Sequence, residues 1–143
     1  MIDHALAALL ARDAVKMTPF RQQYASLLKN PHGTEFRVTV LTSKKPDKVA
    51  VVINLKNNSP SESWSLMEAR VVTEGRGEPR PFAIRATKEI WAPGGESGQI
   101  AVVLDASAFD LKEGPDRFVL ELFRRGSGIR DAWVFLDRRL LGL

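Results

Sequence analysis

The chain has 143 residues, of which 44% are hydrophobic and 27% charged, and its formal net charge is +4. This length and composition indicate one globular domain with an ordinary hydrophobic core. Because the chain contains no cysteine, disulfides, cysteine zinc sites, iron–sulfur clusters and thiol nucleophiles are excluded. No stretch is apolar over the length that a transmembrane helix needs, and we interpret "ALAALLA" near the N-terminus as part of an amphipathic helix, not a signal peptide.

The first thirty residues have a helical pattern. Asp3 can cap a helix that runs to about Lys16, and Thr18-Pro19 is typical of a second helix start. In "PFRQQYASLLKN" the apolar residues recur at i, i+4, i+7 and i+8, which places them on one helical face. We therefore predict a helical segment over residues 1–33, as two short helices or one helix kinked at Pro19, packed on the rest of the chain.

From Glu35 onward the apolar residues alternate with a period of two. Turn sequences such as "NNSPSES" and "APGGESG" separate the alternating stretches, which are "EFRVTVLT", "KVAVVINLK", "WSLMEARVVT", "RPFAIRATKEI", "GQIAVVLD", "RFVLELFR" and "IRDAWVFLD". With no helical pattern between them, they predict a mainly β fold: an immunoglobulin-like antiparallel β-sandwich of about seven strands over residues 34–143.

The last two of these stretches are apolar on both faces. The alternation allows Trp133 to lie in the core. The opposite face needs a cover, and we predict that the N-terminal helices supply it. The alternative is that this doubly apolar ribbon is an interface for a partner.

The sequence offers few groups for catalysis. His4 and His32 are the only imidazoles, and neither has a second ligand at metal-binding spacing. The serines between Ser59 and Ser65 have no nearby histidine to form a nucleophilic triad. We therefore predict no catalytic residues, no metal site, no cofactor and no enzyme activity, with a small hydrolase as the weaker alternative.

Two groups of residues are candidates for binding. Arginines cluster on or beside the last two strands, at Arg117, Arg124, Arg125, Arg130, Arg138 and Arg139. Converging arginines would suit phosphates or carboxylates, although acidic residues alternate with them and indicate solvated strand faces. Trp64 and Trp91 lie beside turns, where they either anchor the end loops or dock a partner with exposed rings.

Longer segments add a resemblance. "VAVVINLKNNSPSESWSLMEARVV", "RPFAIRATKEIWAPGGESGQIAVVLDASAF" and "FVLELFRRGSG" resemble the C-terminal half of a myxobacterial paralogous family of unknown function, and the resemblance covers most of residues 5–141. It implies an immunoglobulin-like domain of the cell-envelope type, with no catalytic residues to carry over. Members of that family look secreted and have an additional N-terminal β domain. The resemblance therefore implies an envelope or periplasmic location, whereas a chain complete as given would be cytoplasmic.

These patterns together predict a non-catalytic interaction or scaffold module that binds a protein partner. A second copy of the chain is one such partner. Binding would use a sheet edge, by strand addition, or the end loops that carry Trp64 and Trp91. The alternative is anion or nucleic-acid binding through the arginine-rich last hairpin, at Arg124, Arg125 and Arg130. Nucleic acid is the less favoured partner, because few aromatic residues are interleaved with the arginines.

Overall fold

The computed structural model describes residues 7–8, 11, 21–30, 33–44, 47–73, 82–105, 118–126 and 130–136. Within these residues the chain forms eight β-strands. They are β1 (Arg21–Lys29), β2 (Thr34–Lys44), β3 (Asp47–Asn57), β4 (Leu66–Thr73), β5 (Ala83–Ala86), β6 (Glu96–Asp105), β7 (Phe118–Arg124) and β8 (Arg130–Leu136). Strands β2 to β8 correspond to the seven strands that the alternating pattern predicted.

The strands form two antiparallel sheets. One has five strands in the order β1-β2-β3-β6-β5, and the other has three in the order β4-β7-β8. The prediction of a mainly β, two-sheet fold is therefore confirmed at this level.

The core lies between the two sheets and follows from the period of two. Val40, Val51 and Val102 are opposite one another across β2, β3 and β6, while Leu120 is opposite Val134 in the smaller sheet. These five residues are buried in one continuous hydrophobic cluster that contains residues of both sheets. Removing a large aliphatic side chain from water contributes about 1.5 to 3 kcal/mol, so this cluster is what holds the sheets face to face.

The predicted helix over residues 19–30 is wrong where the structure describes the chain, because residues 21–29 form β1. This strand pairs with β2 from Arg21 opposite Thr42 to Lys29 opposite Glu35. Leu28 packs against the core, while Leu27 is 47% exposed. Helix propensity differs between residues by only tenths of a kcal/mol, and a ladder of backbone hydrogen bonds along β2 outweighs it. Strand β1 continues the five-stranded sheet across the predicted boundary at residue 34.

Of the first predicted helix, the structure describes Ala7, Ala8 and Ala11, whose backbone is helical; the rest of that prediction lies outside the described residues. Ala7 and Ala11 are buried in a second cluster on the outer face of the five-stranded sheet, together with Leu41, Ala50, Val52, Ala101 and Val103. They therefore cover a different sheet from the one predicted, which was the sheet of the last two strands. No helix in the described part of the chain has the length and hydropathy to cross a membrane.

The prediction that Trp133 lies in the core is also wrong, since its side chain is 42% exposed. In β8 the buried residues are Ala132, Val134 and Leu136, which leaves Trp133 and Phe135 on the outer face. Both sets of positions are apolar, so the alternation alone did not distinguish the two faces.

Candidate functional site

Trp64 and Trp91 come together at one end of the sandwich. Each donates its backbone N–H to the carbonyl of the other, at 2.9 and 2.7 Å, and so forms an isolated antiparallel bridge. Their rings meet edge to face, with centroids 5.4 Å apart, and Trp64 contacts Phe36 in the same way. Both indoles are fully buried. Their burial fits the interpretation of loop anchors, the first of the two alternatives, and it differs from the exposed rings that the second one needs.

Asn57, at the end of β3, joins the loops around this tryptophan pair. Its side chain is buried, and its amide donates to the carbonyls of Glu62 at 2.8 Å and Trp91 at 2.9 Å. Its side-chain oxygen accepts the backbone N–H of Ser59 at 3.2 Å. A buried amide that is bonded on both sides fixes the positions of its neighbours. The "NNSPSES" loop is therefore held in one conformation.

A β-bulge directs Asp131 into the same end of the sandwich. The ladder between β7 and β8 passes from Leu122 opposite Ala132 to Phe123 opposite Arg130, which leaves Asp131 as the extra residue. Bulges re-aim side chains in this way. The Asp131 carboxylate accepts bonds from the indole N–H of Trp64 at 2.8 Å and from the amide of Asn30 at 2.7 Å.

Arg124 and Arg125 follow one another but have different surroundings. Arg124 donates to the Glu62 carboxylate at 3.0 Å and to the Ser63 carbonyl at 3.1 Å, and only 14% of its side chain is exposed. Arg125 is exposed and lines an open groove of about 500 Å³. The groove is also lined by Ser65, Leu66, Lys88, Glu89 and Ile90.

An ion pair lies beside this groove. Lys88 Nζ is 2.9 Å from Glu96 Oε1. The hydrogen bond from Lys88 lowers the pKa of Glu96 below its ordinary value of 4.5. The positive charge of Lys88 is therefore balanced by the Glu96 carboxylate, and Lys88 does not add to a positive site around Arg125.

The outer face of the three-stranded sheet carries a different kind of surface. Trp133 is 42% and Phe135 37% exposed, and the Arg130 guanidinium stacks 4.3 Å above the Trp133 ring. Arg130 also pairs with Glu121 at 2.9 Å. We call this surface, formed by Val72, Val119, Phe123, Trp133 and Phe135 with the charged residues among them, the aromatic face.

The second arginine of the aromatic face has similar contacts. Arg70 lies 4.8 Å from the centroid of the Phe123 ring and pairs with Glu68 at 2.7 Å. Arg70 and Arg130 therefore each have both an aromatic ring and a carboxylate as neighbours.

Of the predicted arginines that the structure describes, Arg124 and Arg130 lie on different surfaces. Arg124 lies at the loop end, Arg130 lies on the aromatic face, and each is paired with a glutamate. Arg117, Arg138 and Arg139 lie outside the described residues, as do His4 and His32. In the described part of the chain, no group of three or more His, Cys, Asp or Glu residues could hold a metal ion.

Sequence reasoning did not identify Asn57 or Asp131 as organising residues, because the contacts of Asn57 with Trp91, and of Asp131 with Trp64 and Asn30, join residues that are distant in the sequence. It also did not single out β8 as an edge strand. Residues 132–136 carry no charge, whereas charged residues are typical of edge strands, so no signal for an edge is present in this part of the sequence.

A comparison with protein families gave one match. A family model described as a protein of unknown function (DUF2381) matches residues 1–133. No match was found among curated proteins or among solved structures. The match agrees with the resemblance to a family of unknown function, and it bears on neither a myxobacterial source nor an immunoglobulin-like envelope domain.

Proposed function

Since the chain belongs to the DUF2381 family, whose description assigns no function, we propose from its geometry that it is a non-catalytic protein-interaction module. It binds an extended protein segment that adds to the smaller sheet beside β8, the last described strand of that sheet. The observation that carries this proposal is that β8 ends the smaller sheet and exposes Trp133 and Phe135 over an uncharged run, residues 132–136.

A comparison of the four sheet edges supports β8. Natural proteins protect edge strands with charged residues or by keeping them short. Strand β1 has charges only at its ends, Arg21 and Lys29, but polar residues lie between them, whereas β4 contains Glu68 and Arg70 and β5 has only four residues. In β8 the five residues after the bulge have no charge. Among the described strands, β8 is hydrogen-bonded to β7 alone.

The aromatic face supplies the side-chain contacts that strand addition needs. In this mode the main-chain hydrogen bonds give affinity, and alternate side chains give specificity. Trp133 and Phe135 are alternate residues, and both point to the outer face, where a neighbouring strand would place its own side chains. Cross-strand aromatic pairs contribute about 0.2 to 1 kcal/mol each.

The other functions expected from the sequence have less support. Burial of Trp64 and Trp91 removes the rings that an end-loop site would use. Pairing of Arg124 and Arg130 with glutamates argues against a site for phosphates.

Two features that the resemblance implies, an immunoglobulin-like sandwich and an envelope location, remain part of the proposal. Strands β2-β3-β6-β5 and β4-β7-β8 have the order of the two sheets in constant-type immunoglobulin domains, and β1 is an additional edge strand. This order supports an immunoglobulin-like sandwich. An envelope location rests on the resemblance alone, and a signal-sequence reporter fused to the native gene would test it.

A peptide selection tests the proposed function. The full chain is immobilised and random peptides displayed on phage are selected against it. We expect selected peptides to bind at least about tenfold more weakly, about 1.4 kcal/mol, to Phe135→Lys, because a charge then interrupts the apolar run of β8. The matched control is Leu27→Lys, which adds the same charge to an exposed residue of β1.

Two results would contradict the proposal. In one, the peptides bind the Phe135→Lys and Leu27→Lys variants equally. In the other, binding falls steeply with added salt, which would favour the arginine alternative, since phosphate contacts are strongly salt-dependent.

A further inference from the structure

The outer face of the five-stranded sheet changes from apolar to polar along its strands. One part is the apolar cluster around Ala7 and Ala11. Nearer the loop end, the residues of β3 that alternate with the core residues Ile53 and Leu55 are polar. A cavity of about 210 Å³, which we call the sheet cavity, is lined there by Leu27, Glu35, Arg37, Asn54, Lys56 and Ser97. We infer that the sheet cavity binds a phosphate group, carried by inorganic phosphate or by a small organic monoester.

The register of the sheet brings four hydrogen-bond donors to this cavity. Arg37 is opposite Asn54 across β2 and β3, and Lys56 is opposite Ser97 across β3 and β6. Asn54 and Lys56 are alternate residues of β3, so the four side chains lie on one face. Arg37 and Lys56 are then diagonal neighbours, with backbones about 7 to 8 Å apart. A guanidinium, an amide, an ammonium and a hydroxyl therefore surround one cavity, and all of them can donate to the oxygens of an anion.

The carboxylate that lines the cavity is drawn towards a different strand. Glu35 is opposite Lys56 in the ladder, and opposite charges at such positions normally pair. The Glu35 carboxylate is instead 3.8 Å from Nζ of Lys29 on β1. Within the described part of the chain, neither Arg37 nor Lys56 forms an ion pair. Both cations are therefore available to an anion that enters the cavity.

The turn before β6 supports the side chain of Lys56. A Cβ on Gly95 would be 3.6 Å from Cε of Lys56, and Gly95 donates its backbone N–H to the carbonyl of Asn57 at 2.7 Å. Long charged side chains pack their stems against such surfaces while the charged end stays in contact with solvent. The backbone of the turn thus keeps the Lys56 ammonium beside the sheet cavity.

The size and the charge of the cavity favour a small phosphate. Pockets for drug-sized ligands have volumes of about 300 to 1,000 Å³, and the sheet cavity is smaller than these. Arginine and lysine both bind phosphate oxygens, and two cations match the charge of a phosphate dianion. Arg124 and Arg130 differ, because each is paired with a glutamate elsewhere in the molecule. The sheet cavity is also on the other sheet from β8, so this inference does not depend on the proposed function.

A titration of the full chain with inorganic phosphate, followed by NMR of the backbone amides at low ionic strength, tests this inference. We expect saturable shifts at Arg37, Asn54, Lys56 and Ser97, which sodium chloride at the same ionic strength should not produce. Arg37→Gln and Lys56→Gln should each weaken binding at least about fivefold, because hydrogen bonds between charged groups are among the stronger ones. Glu35→Gln should strengthen binding, because it removes a negative charge from the wall of the cavity.

The matched control is Arg85→Gln, which makes the same change of charge at an exposed residue of β5 in the same sheet. It should leave the affinity for phosphate unchanged. An equal loss of affinity in Arg85→Gln would overturn the inference, and so would shifts that sodium chloride reproduces. Weaker binding by Glu35→Gln would have the wrong sign and would also overturn it.

A parallel titration with glycerol 3-phosphate distinguishes the two sources of the phosphate group. Tighter binding of this monoester than of inorganic phosphate would identify an organic monoester as the ligand, and equal or weaker binding would identify the free ion. The absence of saturable shifts at the residues of the sheet cavity with both compounds would overturn the inference.

Discussion

Substitution of Asn57 by alanine tests how the loop end is held together. The Asn57 side chain is buried and makes three hydrogen bonds, two from its amide and one to its oxygen. A net contribution of about 1 kcal/mol for each bond gives a loss of about 3 kcal/mol in the free energy of unfolding. For a slope of about 2 kcal/mol per molar in urea, the midpoint should fall by about 1.5 M.

The assay is equilibrium unfolding in urea, followed by far-ultraviolet circular dichroism. The matched control is Asn54→Ala, an asparagine on the same strand whose side chain is exposed. Its substitution should change the free energy of unfolding by less than about 0.5 kcal/mol. Equal effects of the two substitutions would refute the assignment of Asn57 as the residue that organises this end.

Three further predictions concern Gly98, Trp133 and Glu96. Gly98→Ala should destabilise the fold by about 1 to 3 kcal/mol in urea unfolding, because the new Cβ would lie 2.7 Å from Nε1 of Trp91. In acrylamide quenching, Trp133→Phe should remove the accessible part of the tryptophan fluorescence, since Trp133 is the exposed one of the three. The stability difference between wild type and Glu96→Gln should be constant well above pH 4.5, the ordinary pKa of Glu96, and should shrink as the pH falls through its lower folded pKa.

Each of these has a control or a contradicting result. Ser97→Ala, at an exposed residue next to Gly98, should leave stability unchanged. Wild-type fluorescence that resists quenching would contradict the exposure of Trp133. For Glu96, the pH-dependent difference should largely disappear in a Lys88→Gln background, because Lys88 is the main cause of the lowered pKa. A difference that grows as the solution is acidified would have the wrong sign.

The strands from residue 34 onward were predictable because apolar and polar residues alternate in them with the period of a sheet. Strand β1 was not predictable, since Tyr24, Leu27 and Leu28 have a spacing that also suits a helix. What decides the conformation is pairing with β2 over nearly its full length. The edge of β2 with which β1 pairs is formed by the tertiary structure, so it cannot be recognised from a short stretch of the sequence.

The candidate site was only partly predictable for the same reason. Trp64 and Trp91 could be recognised as residues at the ends of strands, but their mutual backbone bridge joins positions 27 residues apart. The role of Asp131 depends on a bulge that one sequence does not reveal. The exposure of Trp133 depends on which of two apolar faces of β8 meets the other sheet.

Hydrogen exchange of the β8 amides, measured in the full chain with and without a saturating selected peptide, tests most directly whether this edge binds another strand. Alternate amides of an edge strand point away from the neighbouring strand, so we expect exchange at alternate residues of 132–136 to slow when the peptide is bound. Exchange in β1, which is also an edge strand, should not change. Unchanged exchange of the β8 amides in the presence of saturating peptide would contradict the account.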